Sequence, residues 1–329
     1  MIADTISHRF RALAQTHLQR PGNGATAQRH HAILEAGRED LSLAKLIEAH
    51  WDAVAILEEA GQDVVPGSAY AVWASELPGQ PLVFGHNTLQ GVKHFCSGAT
   101  LVDRALVSTG NTLVEIDLHA AREYLHVDHS GWHTEAFGPT QTASITFTAC
   151  PVVAVIGTDN WYTERPGFWQ GACGPAAAWA GGAAGLLDYA MKQKRDDAHT
   201  LAHLGAMHAN VSAMQAILSV AGGAFDREPQ RNAMTEALEV RHSIEQLCTD
   251  TLRRFARALG PAPLVKDEAM VRRYAELDLF LRQSHAERDL EALGRALRNA
   301  TLEEPTASAS PQQTSLLAAG TTLPQARLS

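Results

Sequence analysis

The sequence predicts an α+β protein in three parts: a short N-terminal helical region, a central antiparallel β domain and a C-terminal four-helix bundle. Three observations lead there. One amphipathic segment over 40–59 ends at Gly61. From Pro66 the texture changes to short β-branched or aromatic stretches split by Gly, Pro and Asn. After Pro166 and Gly167 the pattern turns helical and stays so. The predicted boundaries are 1–65 for the helical region, 66–162 for the β domain and 163–300 for the bundle. Residues 301–329, rich in Ser, Thr, Ala, Pro and Gln, are expected to form a disordered tail.

Each element follows from local pattern. Leu43, Leu46, Ile47, Val54 and Leu57 recur near the 3.6-residue period, so 40–59 reads as a helix with one buried face. Segments 70–73, 101–107, 112–118 and 144–147 carry strand signals at the spacing of an antiparallel sandwich or barrel. No helix-length periodicity separates most of them, which argues against a βαβ arrangement. Segments 170–194, 201–224, 233–258 and 266–298 are long and helical. Their links hold Asp226, Pro229, Gly260 and Pro263, and short links between long helices predict antiparallel neighbours.

Composition removes several function classes. The chain has 329 residues, 45% of them hydrophobic and 19% charged, in the range of globular proteins. The formal charge is −9 with basic residues dispersed, so no nucleic-acid partner is expected, while a local Lys/Arg cluster could still serve a small anionic ligand. No apolar run reaches membrane-spanning length. The apolar stretch 176–187 contains Gly181, Gly182 and Gly185 and suits a buried helix, so no membrane insertion is expected. Cys96, Cys150, Cys173 and Cys248 show neither CxxC pairing nor metal spacing. They predict reduced, mostly buried thiols and a cytoplasmic location. Arg9, Arg11, Arg20 and Arg29 with few acids faintly resemble a transit peptide. His126, His129 and His133 lie in a loop-rich β segment, and no metal site is expected from them.

Several segments in order suggest chemistry. Tyr70-Ala-Val-Trp-Ala-Ser-Glu-Leu-Pro-Gly79 is a strand running into a Pro-Gly turn. Gly91-Val-Lys-His-Phe-Cys-Ser-Gly98 is a strand between glycines. Phe137-Gly-Pro-Thr-Gln-Thr142 precedes another strand, Gly167-Phe-Trp-Gln-Gly171 opens the bundle, and the 273–290 region closes it. In this order the chain, from about residue 32 to 300, resembles the acyl-CoA dehydrogenase family, as a divergent and shortened member. The resemblance implies a flavoprotein oxidoreductase that holds FAD and acts on CH–CH bonds of an acyl thioester or similar substrate. It also implies a small-molecule substrate, acyl-CoA among the candidates, and a homodimer or homotetramer.

By that resemblance Phe95 is the aromatic residue against the flavin, Ser97 the hydroxyl near its N5, and Trp73 and Ser75 further cofactor contacts. Alternation along a strand would put 95 and 97 on one face. The family's flavin turn is altered here, because Gly79 is followed by Gln80 and Pro81. Its Gly-rich dinucleotide turn appears as Gly260-Pro-Ala-Pro263. The N-terminal region is about half the family's size, which would thin one wall of the acyl pocket. Proton abstraction beside a carbonyl needs a carboxylate in a dry site. Pro175 and Ala286 fall where the family places that Glu, which leaves Glu287 and His285 as the catalytic candidates. On a continuous helix Leu279, Ala286, Leu290, Leu293 and Leu297 form one buried face, and Glu287 flanks it. His285 and Asp289 could pair at i,i+4. Two alternatives stand beside the dehydrogenase: a flavin-dependent monooxygenase on the same fold, and a non-catalytic scaffold that has lost its cofactor contacts.

Overall fold

The computed structural model describes residues 2–77, 79 and 81–303; the predicted tail beyond 303 lies outside them. Three helices come first: α1 (Ile2–Leu13), α2 (Thr26–Glu39) and α3 (Leu41–Glu59). α3 starts where predicted because the Asp40 side chain accepts from the Leu43 backbone N–H at 3.0 Å, satisfying a first-turn donor that has no partner within the helix. Its apolar face, Leu43, Leu46, Ile47 and Leu57 among others, is buried.

Eight strands follow: β1 (Tyr70–Trp73), β2 (Val83–Gly85), β3 (Thr88–Cys96), β4 (Arg104–Thr109), β5 (Thr112–Asp117), β6 (Leu125–Asp128), β7 (Ala143–Pro151) and β8 (Ala154–Ile156). They form two four-stranded sheets, ordered β1-β4-β5-β8 and β2-β3-β7-β6. Pairing is antiparallel except between β1 and β4, which run parallel. That exception arises because the chain leaves β1 and crosses to β2 and β3 in the other sheet before returning. β3 shifts register between Leu89 and Gly91 and again between Lys93 and Cys96. Such bulges break ladder alternation and re-aim side chains.

The remaining helices are α4 (Trp161–Glu164), α5 (Gly167–Gly171), α6 (Cys173–Met191), α7 (Ala198–Arg227), α8 (Met234–Leu259), α9 (Pro263–Lys266), α10 (Glu268–Leu281) and α11 (Glu287–Glu303). α6 is the axis, with α2, α7, α8 and α10 packed around it. Small residues permit this. An added Cβ on Gly181 would overlap the Leu34 carbonyl, and one on Gly37 would lie 2.5 Å from the Ala178 carbonyl. α2 is thus a full member of the bundle, and α6 carries no charged residue before Asp188.

The last predicted helix is corrected. The stretch 266–298 is broken twice, and the second break, 282–286, includes Ala286 at φ 46°. A left-handed alanine ends helical periodicity, so the continuous buried face predicted from Leu279 to Leu297 does not form. Ala286 is exposed, and Leu290 and Leu297 stay 38% and 48% exposed. All four cysteines are buried and unpaired, as expected. No helix among the described residues is long and apolar enough to cross a membrane.

Candidate functional site

Two regions concentrate polar groups, one on the β2-β3-β7-β6 sheet and one where α3 meets the α5–α6 junction. The first is built on β3. At its end Phe95 takes φ 58° and stands 54% exposed, while Ser97 falls just beyond the strand. The predicted alternation of 95 and 97 is therefore interrupted by the bulge, and their positions are set by hydrogen bonds instead. Trp73 is buried, and its indole Nε1 donates to the Ser97 carbonyl at 3.0 Å. The Ser97 hydroxyl lies 3.0 Å from Thr142 Oγ1, which lies 2.7 Å from Thr140 Oγ1. Thr140 in turn donates to the Phe137 carbonyl at 2.7 Å. A file of hydroxyls thus runs from beside Phe95 to Phe137.

The segment after β1 is anchored to β3 through Ser108 of β4. Buried Lys93 donates from Nζ to Ser108 O at 2.6 Å and Ser108 Oγ at 3.0 Å, and Ser108 Oγ donates to Ala74 O at 3.2 Å. Glu76 lies 3.6 Å from Lys93 Nζ. Burial lowers the Lys93 pKa, and Glu76 opposes that shift. Ser75 sits exposed in this segment, between the anchored Ala74 and Glu76. An exposed aromatic ring next to a row of hydroxyls fits a planar cofactor with a polar edge. Thr142, Thr140 and Lys93 lay within motifs legible in the sequence, but one-dimensional spacing gave no sign that the two threonines join Ser97 in one file or that Lys93 anchors to Ser108.

The second region is a half-buried polar chamber between α3 and the α5–α6 junction, where Lys45, Glu48, Asp52 and Tyr162 cluster and each keeps part of its surface accessible. The face of α3 presents Lys45, Glu48, Asp52 and Glu59, one to two turns apart. Opposite lie Gly174, Gly171 and Gly167. A Cβ on Gly174 would overlap Glu48 Oε1, and one on Gly171 would lie 3.0 Å from Asp52 Oδ1. Lys45 Nζ lies over two rings, 4.7 Å from the Phe280 centroid and 5.3 Å from that of Phe137. Burial raises the Glu48 pKa to about 8, helped by the like charge of Asp52, and burial lowers that of Lys45 to about 8. Phe137 therefore joins the two regions, with the hydroxyl file on its carbonyl and Lys45 over its ring.

The candidates Glu287 and His285 lie elsewhere. Glu287 is exposed at the first turn of α11. His285 is 56% exposed at its side chain; its Nδ1 is 3.2 Å from Asp289 Oδ1, and its backbone N–H donates to Asp289 Oδ2 at 3.2 Å. The expected His285–Asp289 contact therefore acts as a cap on the start of α11. Arg241 secures the preceding turn by donating to Gln283 O at 2.9 Å and to Ala172 O at 2.7 Å.

In comparisons by sequence, no family model and no curated protein matches the chain. Solved structures do match it in three dimensions. TdsC from Paenibacillus sp. A11-2, bound to FMN and indole, superposes with TM-score 0.70 at 18% identity over 83% of this chain and 84% of that one. KijD3, bound to FMN and a dTDP-linked amino-keto sugar, gives TM-score 0.75 at 15% identity over 90% and 86%. The FAD complex of PigA gives TM-score 0.72 at 14% identity over 89% of each chain. At these identities the likeness establishes the fold, and that fold is the acyl-CoA dehydrogenase-like one expected from the sequence.

Proposed function

We propose that this chain is a flavin-dependent oxidoreductase, with FAD its cofactor and a small-molecule substrate held in the chamber beside α3. The observation that carries the reading is Phe95: a large apolar ring on an interrupted strand, exposed beside the Ser97–Thr142 hydroxyl pair. Exposing such a ring costs about 1.5–3 kcal/mol relative to burial, and a flat heteroaromatic partner removes that cost. Phe95, Ser97, Trp73 and Ser75 are assigned to the flavin side, with Trp73 positioning Ser97 through its carbonyl. Flavin-bound structures of the same fold support the cofactor class. When bound, the flavin supplies the electron-transfer chemistry. The chain's own residues orient it, exclude water at the Phe137–Phe280 end, and hold protons at Glu48 and Lys45.

Between the two reactions expected of this fold, the features favour the oxygenase. Acyl-thioester dehydrogenation needs a desolvated carboxylate base. Glu287 and His285, at the place the family resemblance indicates, are exposed. One neighbour is named a dibenzothiophene monooxygenase. The dehydrogenase reading keeps the ordered motifs in its favour, and Glu287→Gln separates the two: only a dehydrogenase using that base would lose turnover on an acyl thioester.

A homo-oligomer belongs to the same proposal. From Ala198 to Phe225, α7 contains no Asp, Glu, Lys or Arg, yet Leu201 and Val220 are 52% and 72% exposed. A long uncharged face of this kind fits a second copy of the chain.

The function test is direct. Full-length protein purified with, or titrated with, FAD should show flavin bands between about 350 and 500 nm, and Phe95→Ala should weaken binding. A protein that stays colourless and ignores added FAD and FMN refutes the proposal.

A further inference from the structure

The chamber wall contains its own internal control. Three acids of α3 face three glycines of the α5–α6 junction, and one of them is fully engaged. Glu59 accepts from the Gly167 backbone N–H at 3.0 Å and from Arg165 Nη1 at 2.6 Å. Glu48 and Asp52, on the same face, accept no hydrogen bond and form no ion pair among the described residues.

They are not short of cations. Arg29 is 4% exposed and its charge acts on both carboxylates, yet among the described residues its side chain donates only to the Gln19 carbonyl, at 3.3 Å. Lys45 lies one turn away on α3 and forms no ion pair among the described residues. Arg241 acts on Glu48 from α8, but its guanidinium is committed to two backbone carbonyls. Tyr162, from α4, feels both carboxylates, and its hydroxyl has no hydrogen-bond partner among the described residues. Opposite charges in a protein interior normally close into direct pairs, because unpaired buried charge is costly. Here Lys45, Glu48 and Asp52 of α3, Arg29 of α2 and Tyr162 of α4 act on one another electrostatically yet close into no direct pair among the described residues, each with spare hydrogen-bonding capacity. Polar groups of a ligand, or water holding its place, satisfy such an arrangement.

We infer that Lys45, Glu48 and Asp52 set the specificity of this site, for a small polyhydroxy or amino compound bearing an anionic group and against a long acyl chain. The inference rests on the flavoenzyme reading for its catalytic meaning. The anionic group follows from the charge balance. Three cations, Lys45, Arg29 and Arg241, act on this cluster against the two acids, and burial pushes Glu48 toward its neutral form. The hydroxyl or amino groups follow from the donors and acceptors left open: Glu48 and Tyr162 can donate, and Asp52 accepts. An acyl chain would instead strand every one of these groups without a partner.

Isothermal titration of the full-length protein with two carboxylates of similar length, gluconate and octanoate, tests this. Gluconate should bind measurably tighter, and Lys45→Met and Asp52→Asn should each weaken it by about tenfold or more. Each variant's thermal melting would show that it folds. Glu48→Gln, which mimics the protonated acid, should bind gluconate within a few-fold of the parent. Octanoate binding as tightly, or indifference to both probes, overturns the inference. Running the titration with and without FAD separates the two readings: gluconate binding without any flavin binding would sink the cofactor proposal alone.

Discussion

The buried carboxylate of Glu276 accepts a hydrogen bond from the backbone N–H of Phe137 at 3.2 Å, joining α10 of the bundle to the turn before β7. Phe137 holds φ 60°, a strained value for an aromatic residue, and its ring sits edge-on to Phe280, 5.2 Å between centroids. Ser42 donates to the same Glu276 oxygen at 2.7 Å, and Arg272 lies 3.1 Å from it. One acid thereby fixes the residue shared by the hydroxyl file and the chamber.

Glu276→Ala should cost about 3–5 kcal/mol, because it strands Ser42 and the Phe137 N–H and leaves Arg272 with Asp40 alone. Urea unfolding measures this. If the mutant also keeps parental flavin affinity, the link from α10 to the flavin side carries no functional weight.

Gly181→Ala should destabilise by about 1–3 kcal/mol or more, since the new methyl meets the α2 backbone at Leu34 and Arg38. Gly294→Ala on α11, where nothing lies within 4 Å, should be neutral or stabilising by about 0.5–1 kcal/mol. Denaturation midpoints of the pair decide whether contact or mere helix propensity governs the α2–α6 seam.

Acid should weaken the fold through two histidines. His30 and His50 are almost wholly buried, and burial holds both pKa values near 4 against an ordinary 6.5. His50 Nδ1 accepts from the Tyr70 N–H at 3.0 Å, which requires the neutral ring. Between those values the unfolded chain binds more protons than the native one, so stability is lost as pH falls from 6.5 to 4. The loss is on the order of 3 kcal/mol per histidine at most. Unfolding free energies at pH 7 and 4.5 test it, and a flat profile would contradict the assignment.

Anion binding in the chamber should fade above about pH 8. There Lys45 loses its positive charge and Glu48 gains a negative one, both against an anionic ligand. Gluconate affinity should drop about tenfold between pH 7 and 9. In Glu48→Gln the drop should shrink, leaving the Lys45 step.

Charge placed on α7 should dissociate the proposed oligomer. Ala216 lies on the exposed face of that helix, so Ala216→Glu should lower the assembled mass in sedimentation without lowering the content of secondary structure. An unchanged mass would move the interface elsewhere.

Periodicity located α3, and β-branched or aromatic stretches between turn residues located β1, β3, β4, β5 and β7. Periodicity failed at 282–286, where left-handed Ala286 breaks a pattern that its flanking leucines continue. Phe95 and Ser97 were legible as a motif, but the bulge that contains Phe95 depends on pairing with β7 and leaves no local mark. Glu48 and Asp52 were invisible as site residues. On the sequence they are two polar positions of an ordinary amphipathic helix, and only the glycines of a distant segment turn that face inward.

The seam between α2 and α6 limits how the molecule can be divided. Leu34 and Gly37 sit directly on Ala178 and Gly181, so a fragment starting at residue 163 would lose the partner that covers its most apolar helix. Such a fragment should aggregate, whereas supplying residues 20–65 as a separate peptide should rescue it. The N-terminal helix α2 is therefore a structural keystone of the bundle, which is not completed by residues 163–300 alone.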